Sequence, residues 1–273
     1  MTQYDADDLL AALTVIAEQA GKEILAYYVE ATEGGGVEVR EKADASPVTD
    51  ADEVAEAFIL EALAKLTPDI PVVAEEAASA GQIPDVSGGR FWLVDPLDGT
   101  REFLSHNGEF TVNIALVEQG RPVAGVVHAP ALAMTWAGAQ AGVGGGAADG
   151  PATATYSETG KETMTLRARP MPDEGAVVVA SRRHGSGDQL ENFLKDYTVQ
   201  DRVSAGSSLK FCLVASGRAD VYPRFGRTME WDTAAGHAVL WAAGGTVETL
   251  DGETLTYGKP GFENPFFVAK GAA

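Results

Sequence analysis

The apolar run Phe91-Trp92-Leu93-Val94 ends in Asp95-Pro96-Leu97-Asp98-Gly99-Thr100, so a segment that reads as a buried strand finishes in two carboxylates, a proline and a glycine. Pro96 fixes the backbone and Gly99 permits a sharp bend, which together can turn both carboxylates and the Leu97 carbonyl towards one point. Oxygen-only donor sets of this kind suit hard cations such as Mg²⁺, which favour octahedral geometry and retain several waters. Two such ions about 4 Å apart need a shared carboxylate. Taken alone, Asp95 and Asp98 also fit plain turn and cap roles. The chain repeats the pattern, however: IPVVAEE carries Glu75 and Glu76 at the end of another strand-like run, and EWDTAAGHAVL places Asp232 at the start of a helix. Three acidic ends of apolar runs exceed what helix capping explains.

Several elements must position these groups. Leu9, Leu13, Ile16, Ala17, Ala20, Ile24 and Tyr28 recur at helical spacing from Asp5 to Tyr28. A second helix follows capping-type residues in SPVTDADEVAEAFILEALAKL and stops at Pro68. IPVVAEE, RFWLVDP, FTVNIALVEQG, RPVAGVVHAP and MTWAG read as strands, the middle pair as a hairpin. AGVGGGAADGPA, residues 141–152, lacks the Gly-Lys-Ser/Thr ending of a phosphate-binding loop and reads as a loop or bulged hairpin. Beyond RARPMPDEG the order becomes strand AVVVAS, helix DQLENFLKDY, helix SSLKFCLVASG, strand ADVYPRF, helix DTAAGHAVLWAAG, strand GTVETL and strand PFFVAK. Alternation in both halves argues for layered α/β packing with helix pairs covering sheets. It divides the chain into a metal-binding region, 1–170, and a region completing the site and substrate pocket, 171–273.

At 273 residues the chain can bury a large core. Its formal charge of −20 disfavours a nucleic-acid polymer or an anionic membrane as partner. The lone Cys212, set in LKFCLVAS, excludes an internal disulfide and reads as core. No apolar run reaches membrane-spanning length and the N-terminus lacks a basic start. A cytoplasmic location is expected, with a peripheral position at the inner membrane face as a variant.

PVVAEE, WLVDPLDGT and WDTAAG, in this order and at these separations, resemble the metal-binding signatures of the lithium-sensitive, magnesium-dependent phosphomonoesterases that include inositol monophosphatase. Within that superfamily the resemblance is greatest to the CysQ-type 3'(2'),5'-bisphosphate nucleotidases. It is carried by DGTREFLSHNGEFTVNIALVEQGRPVAGVVHAP, ASRRH, GSSLKFCLVASGRADVYPRFG and WDTAAGHAVL. The resemblance implies an αβαβα sandwich, two or three Mg²⁺ ions and inhibition by Li⁺. It further implies that Glu75, Asp95, Asp98, Asp232 and the Leu97 carbonyl hold the metals, with Asp95 as bridge and Glu76 in support. Asp52 and the Thr100 hydroxyl would orient the attacking water, alongside a catalytic part for Glu75, and Asp50 would be a surface neighbour. Backbone N–H groups of Gly99 and Thr100 would hold phosphate oxygens. His184, Ser207, Lys210 and Arg224 would line the substrate pocket, with Tyr222 and Phe225 as packing. Lys42 would belong to a mobile loop before Ser46-Pro47, and Glu230 would add negative charge near the metals.

The implied reaction is hydrolysis of adenosine 3',5'-bisphosphate to AMP and phosphate, with the 3'-phosphosulfate analogue as a second substrate. The partner is thus a small phosphorylated nucleotide, and the protein a monomer or homodimer. Inositol monophosphatase or fructose-1,6-bisphosphatase activity shares every metal ligand and stands as the alternative. A non-catalytic divalent-cation-binding protein is the alternative outside enzymes, although it has no need of Thr100 and Asp52.

Overall fold

The computed structural model describes residues 5–32, 39–41, 47–143, 152–181 and 187–273. The helices are α1 Ala6–Thr32, α2 Asp50–Leu66, α3 Glu75–Ser79, α4 Thr100–Leu104, α5 Asp188–Phe193, α6 Leu209–Ala215 and α7 Ala234–Ala242. The first strands are β1 Val39–Glu41, β2 Pro47–Thr49, β3 Val72–Ala74, β4 Arg90–Asp98, β5 Thr111–Glu118, β6 Arg121–Ala129 and β7 Met134–Ala139. They are followed by β8 Thr153–Glu158, β9 Met164–Thr165, β10 Ala176–Ala180, β11 Val199–Ser204, β12 Val221–Arg224, β13 Thr246–Thr249 and β14 Phe267–Lys270.

Strands β3 to β9 form a seven-stranded sheet in chain order, antiparallel except for the β3–β4 pair. A five-stranded sheet runs β11-β10-β12-β14-β13. Helices α1 and α2 cover one face of the large sheet, and α6 and α7 lie between the two sheets. The far face of the small sheet packs Ala176, Val178, Val221 and Val268 against Leu190 and Leu194 of α5 and the 3₁₀ turn that continues it. The result is the expected αβαβα sandwich, with a short helix and turn as its outermost layer.

The α6–α7 layer explains two close approaches. Gly138 of β7 would place a Cβ 2.7 Å from Val239 Cα, and Gly236 of α7 would place one 2.5 Å from the Phe211 ring. Neither position has room for a side chain, so these glycines set the spacing of the central layers.

Three details differ from the sequence reading. Glu75 and Glu76 open a short helix, α3, instead of ending the strand. Strands β1, β2, β8, β9 and β11 appear where the sequence suggested none; Val199–Ser204 forms an edge of the small sheet with mostly exposed residues, so it carries no apolar alternation. The helix read over DQLENFLKDY stops at Phe193 and tightens into a 3₁₀ turn over Leu194–Asp196. Most of the glycine-rich stretch, residues 144–151, lies outside the described residues. Cys212 is buried in the main core.

Two buried histidines give this core a pH dependence. His128 Nδ1 pairs with the Thr135 hydroxyl at 2.9 Å, and that hydroxyl donates to Glu18 at 3.3 Å. Burial, with Lys22 nearby, pushes His128 down to about 4. Burial, with Arg121 nearby, pushes His237 down to about 3. Both imidazoles are neutral in the fold at neutral pH, whereas the unfolded chain protonates them below about 6.5. Stability associated with each is therefore intact above pH 6.5 and declines as pH falls towards 4, by about 2 kcal/mol per histidine at pH 5. Urea midpoints at pH 7.5 and 5.0 for the native protein and for His128→Asn measure this. The variant should lose markedly less stability on acidification, and equal losses would rule the imidazole out as the cause.

Candidate active site

Asp95 and Asp98 are three residues apart, so in a regular strand they would face opposite sides of the sheet. Strand β4 avoids this with a bulge: Asp95 pairs with Asn113 and Asp98 with Thr111, so three steps on β4 match two on β5. The irregularity occurs at Pro96-Leu97 and aims both carboxylates at the same end of the sheet. The Asp95 side chain is 1% exposed, and its Oδ1 accepts the Leu97 N–H at 3.0 Å.

Glu75, Asp95 and Asp232 bring one carboxylate oxygen each to within 4.8 Å of the others. Asp98 belongs to the same field. Burial, with the Glu102 and Glu75 charges adding and Lys210 and Asn113 opposing, raises its carboxyl to about 6. Burial and the neighbouring Asp98 and Glu75 also hold Asp232 well above the usual carboxylate range. Acidic groups crowded to this extent repel one another until a cation joins them. The oxygen-only donor set therefore fits Mg²⁺.

The carboxylates are held from behind. Asn113 Nδ2 donates to Asp98 Oδ2 at 3.3 Å and to Ser208 Oγ at 3.0 Å, and Ser208 Oγ donates to the Asp232 carbonyl at 2.9 Å. One amide thereby ties β4, the start of α6 and the segment before α7 together. Asp232 Oδ2 accepts the Met229 N–H at 2.9 Å. Glu56, 5% exposed on α2, accepts the N–H groups of Glu76 at 2.7 Å and Ala77 at 2.8 Å. It fixes the start of α3, where Glu75 sits.

The Asp52 carboxylate is 2% exposed. Its Oδ2 accepts both the Thr49 N–H at 2.8 Å and the Thr49 hydroxyl at 2.7 Å, leaving Oδ1 towards the Thr100 hydroxyl at 3.4 Å. Asp50 instead faces solvent and pairs with Arg40 at 2.7 Å. Gly99, which precedes α4, has φ 91°, and a Cβ there would fall 2.1 Å from Ser207 Oγ. Ser207 Oγ donates to the Asp98 carbonyl at 2.8 Å.

A cavity of about 140 Å³ opens beside these carboxylates, lined by Asp98, Asp232, Ser207, Lys210 and Arg224 among others. Asp232 belongs to both the acidic cluster and the cavity wall, so the two are continuous. Lys210 is buried: its ammonium donates to the Ser207 carbonyl at 2.5 Å and the Ala205 carbonyl at 3.4 Å, and lies over the Tyr222 ring. Burial, helped by Arg224, lowers it to about 8 against the pull of Asp98. Lys210 thus braces the loop before α6 as well as placing charge in the cavity. Arg224 donates to the Arg227 carbonyl at 3.1 Å, while its Nε is buried without a hydrogen-bond partner.

Tyr222 lines this cavity yet also packs edge-on against Phe211 and Phe267. Phe225 instead meets Phe193 and Phe266. The negative charge expected from Glu230 is neutralised: the side chain is fully buried, accepts the Gly258 and Lys259 N–H groups at 2.6 and 2.9 Å, and pairs with the Lys259 ammonium at 2.7 Å. His184 and Lys42 lie outside the described residues.

The sequence reading missed Asn113, Ser208, Glu56 and Arg101. Arg101 lines the cavity directly. Asn113 did carry a signal, being the one amide in the apolar run TVNIALV. Glu56 carried none, since it reads as an ordinary surface residue of an amphipathic helix.

Residues 5–266 match the inositol monophosphatase family model. The chain is 46% identical over 260 residues to a Salmonella typhimurium protein named 3'(2'),5'-bisphosphate nucleotidase CysQ, covering 95% of this chain and 98% of that one. An Escherichia coli K12 protein of the same name is 43% identical over the same shares. Among solved structures, CysQ from Bacteroides thetaiotaomicron superposes with a TM-score of 0.75 at 34% identity, covering 97% of both chains. Inositol monophosphatase from Anabaena superposes with a TM-score of 0.70 at 24% identity, covering 97% of this chain and 90% of that one, a likeness of fold.

Proposed function

Because the chain belongs to the inositol monophosphatase family, we propose that it is a Mg²⁺-dependent 3'(2'),5'-bisphosphate nucleotidase that converts adenosine 3',5'-bisphosphate to AMP and phosphate. The observation that carries the reading is the continuity of the acidic cluster with a cavity containing Lys210 and Arg224. Glu75, Asp95, Asp98 and Asp232, with the Leu97 carbonyl, would hold two or three Mg²⁺ ions. When bound, Mg²⁺ supplies charge neutralisation at the phosphate and lowers the pKa of a coordinated water.

This chain's own residues then have separate tasks. Asp52 is locked by Thr49 and accepts a hydrogen bond from the Thr100 hydroxyl, leaving the Thr100 oxygen lone pairs free to receive a hydrogen bond from water. That fixes the direction from which water approaches phosphorus, an orientational contribution that needs no covalent protein nucleophile. Lys210, Arg224 and Arg101 supply cationic groups for the phosphate that is not cleaved.

The buried, partnerless Nε of Arg224 supports its assignment to substrate, because an orphaned donor is costly unless an anion satisfies it. Arg224→Gln should raise KM for adenosine 3',5'-bisphosphate by about tenfold or more with kcat little altered, given the value of charge-assisted hydrogen bonds. KM for a nucleoside 3'-monophosphate should change far less. Equal effects on both substrates would remove Arg224 from the second phosphate.

The activity itself is tested by phosphate release from metal-stripped protein, with and without added Mg²⁺, using adenosine 3',5'-bisphosphate and inositol 1-phosphate side by side. Mg²⁺-dependent release chiefly from the nucleotide, inhibited by millimolar Li⁺, is expected. Preference for inositol 1-phosphate would keep the metal site and overturn the substrate. No Mg²⁺-dependent release from either would overturn the enzyme reading.

A further inference from the structure

Arginine is scarce in this chain relative to acid, and its pairing follows a pattern. Arg40, Arg90, Arg169, Arg202 and Arg227 each pair with a carboxylate. Arg121 lies over the Trp241 ring. Arg101 and Arg224 face the catalytic cavity. Arg182 and Arg183 lie outside the described residues; of the others Arg167 and Arg218 remain, exposed and without a carboxylate partner among the described residues, and both line a second cavity. In a protein of net charge −20, two arginines left unpaired at one concavity form a local site for an anion.

Apart from Thr165 and Ser216, the rest of that cavity is aromatic and apolar. Trp136 and Tyr156, with ring centroids 5.3 Å apart, lie beside Met164 and Leu166. Its volume is about 580 Å³, within the range that small-molecule sites occupy. Trp136 Nε1 donates to Ser216 Oγ at 3.3 Å, which fixes the indole in the wall. Glu158, two residues along β8 from Tyr156, accepts its hydroxyl at 3.1 Å and pairs with Lys161 at 2.7 Å. Ser216 caps the C-terminal end of α6, whose first turn carries Lys210 at the catalytic cavity. The second cavity shares no lining residue with the catalytic one.

We propose that this cavity is a second ligand site, for a planar aromatic ring bearing a phosphate, the chemistry of a nucleoside monophosphate. The half-buried Tyr156 ring and the exposed Met164 side chain would take the base, over a floor formed by the buried Trp136 and Leu166, and Arg167 and Arg218 the phosphate, since guanidinium groups match phosphate oxygens in geometry as well as charge. The site is independent of the catalytic metals.

The test is calorimetric titration of AMP into the full-length protein in EDTA, which withholds the metals. One saturable equivalent per chain is expected in the Arg224→Gln protein, whose catalytic cavity has lost a cation for the phosphate that AMP retains. Arg167→Gln together with Arg218→Gln should weaken it at least tenfold without altering Mg²⁺-dependent turnover or the melting temperature, and Arg224→Gln should leave it unchanged. Inorganic phosphate and adenosine, tested separately, should each bind at least tenfold more weakly than AMP. Absence of saturable binding in EDTA would overturn the proposal, as would binding insensitive to the double substitution or abolished by Arg224→Gln. Sedimentation showing that the double substitution splits a dimer would also overturn it, by assigning the face to a subunit contact. Because binding is read without metal, a failed turnover assay leaves this result standing, and a failed titration leaves the turnover result standing.

Discussion

Asp95→Asn is expected to lower turnover by on the order of a thousandfold or more while leaving the fold intact. The substitution preserves shape. The amide oxygen can keep the bond from the Leu97 N–H, so the bulge in β4 should survive. What disappears is one negative charge among the oxygens of Glu75, Asp95 and Asp232, which lie within 4.8 Å of one another. Two consequences separate a metal ligand from a structural residue. Metal-free protein should melt at the same temperature or higher, because removing a charge relieves repulsion that burial makes costly. The rise in melting temperature on adding Mg²⁺ should shrink, since a ligand stabilises a protein only as far as it binds the folded state. Near-normal turnover with an undiminished Mg²⁺-induced rise would take Asp95 out of the metal site.

Helices α1 and α2 were legible from an apolar stripe at helical spacing, and α7 and strands β4 to β7 from the apolar runs that their burial requires. Strand β11 was not, because an exposed edge needs no such pattern. The acidic cluster was legible as a set of residue types at the ends of apolar runs, and its convergence is seen in Glu75, Asp95 and Asp232. How convergence is achieved was not legible. The bulge between Asp95 and Asp98 is a matter of register with β5, and register depends on a partner strand that no local window contains. The same reason hid Glu56 and Ser208, whose work is to accept or donate across elements far apart in sequence.

Gly99→Ala should cost at least about a hundredfold in kcat/KM, because small displacements of positioned groups are enough to do so. Two separate physical effects act there. With φ 91° and ψ 46°, an L-residue pays about 1–2 kcal/mol in backbone strain. In addition, the new methyl would sit 2.1 Å from Ser207 Oγ, with Glu102 Oε2 at 3.2 Å, so Ser207 must move. Ser207 holds the Asp98 carbonyl and its own carbonyl receives the Lys210 ammonium, so its movement disturbs a proposed metal ligand and a cavity cation together. Ser207→Gly separates the two effects. It removes the colliding oxygen, and because Ser207 itself has φ 45°, glycine also relieves strain there. In the Gly99→Ala background it should therefore recover part of the lost melting temperature and activity, leaving the Gly99 strain uncorrected. A double-mutant cycle with favourable coupling supports the collision. Strictly additive losses would show that backbone strain at Gly99 alone accounts for the effect, and that Ser207 is not the group through which this turn is fixed.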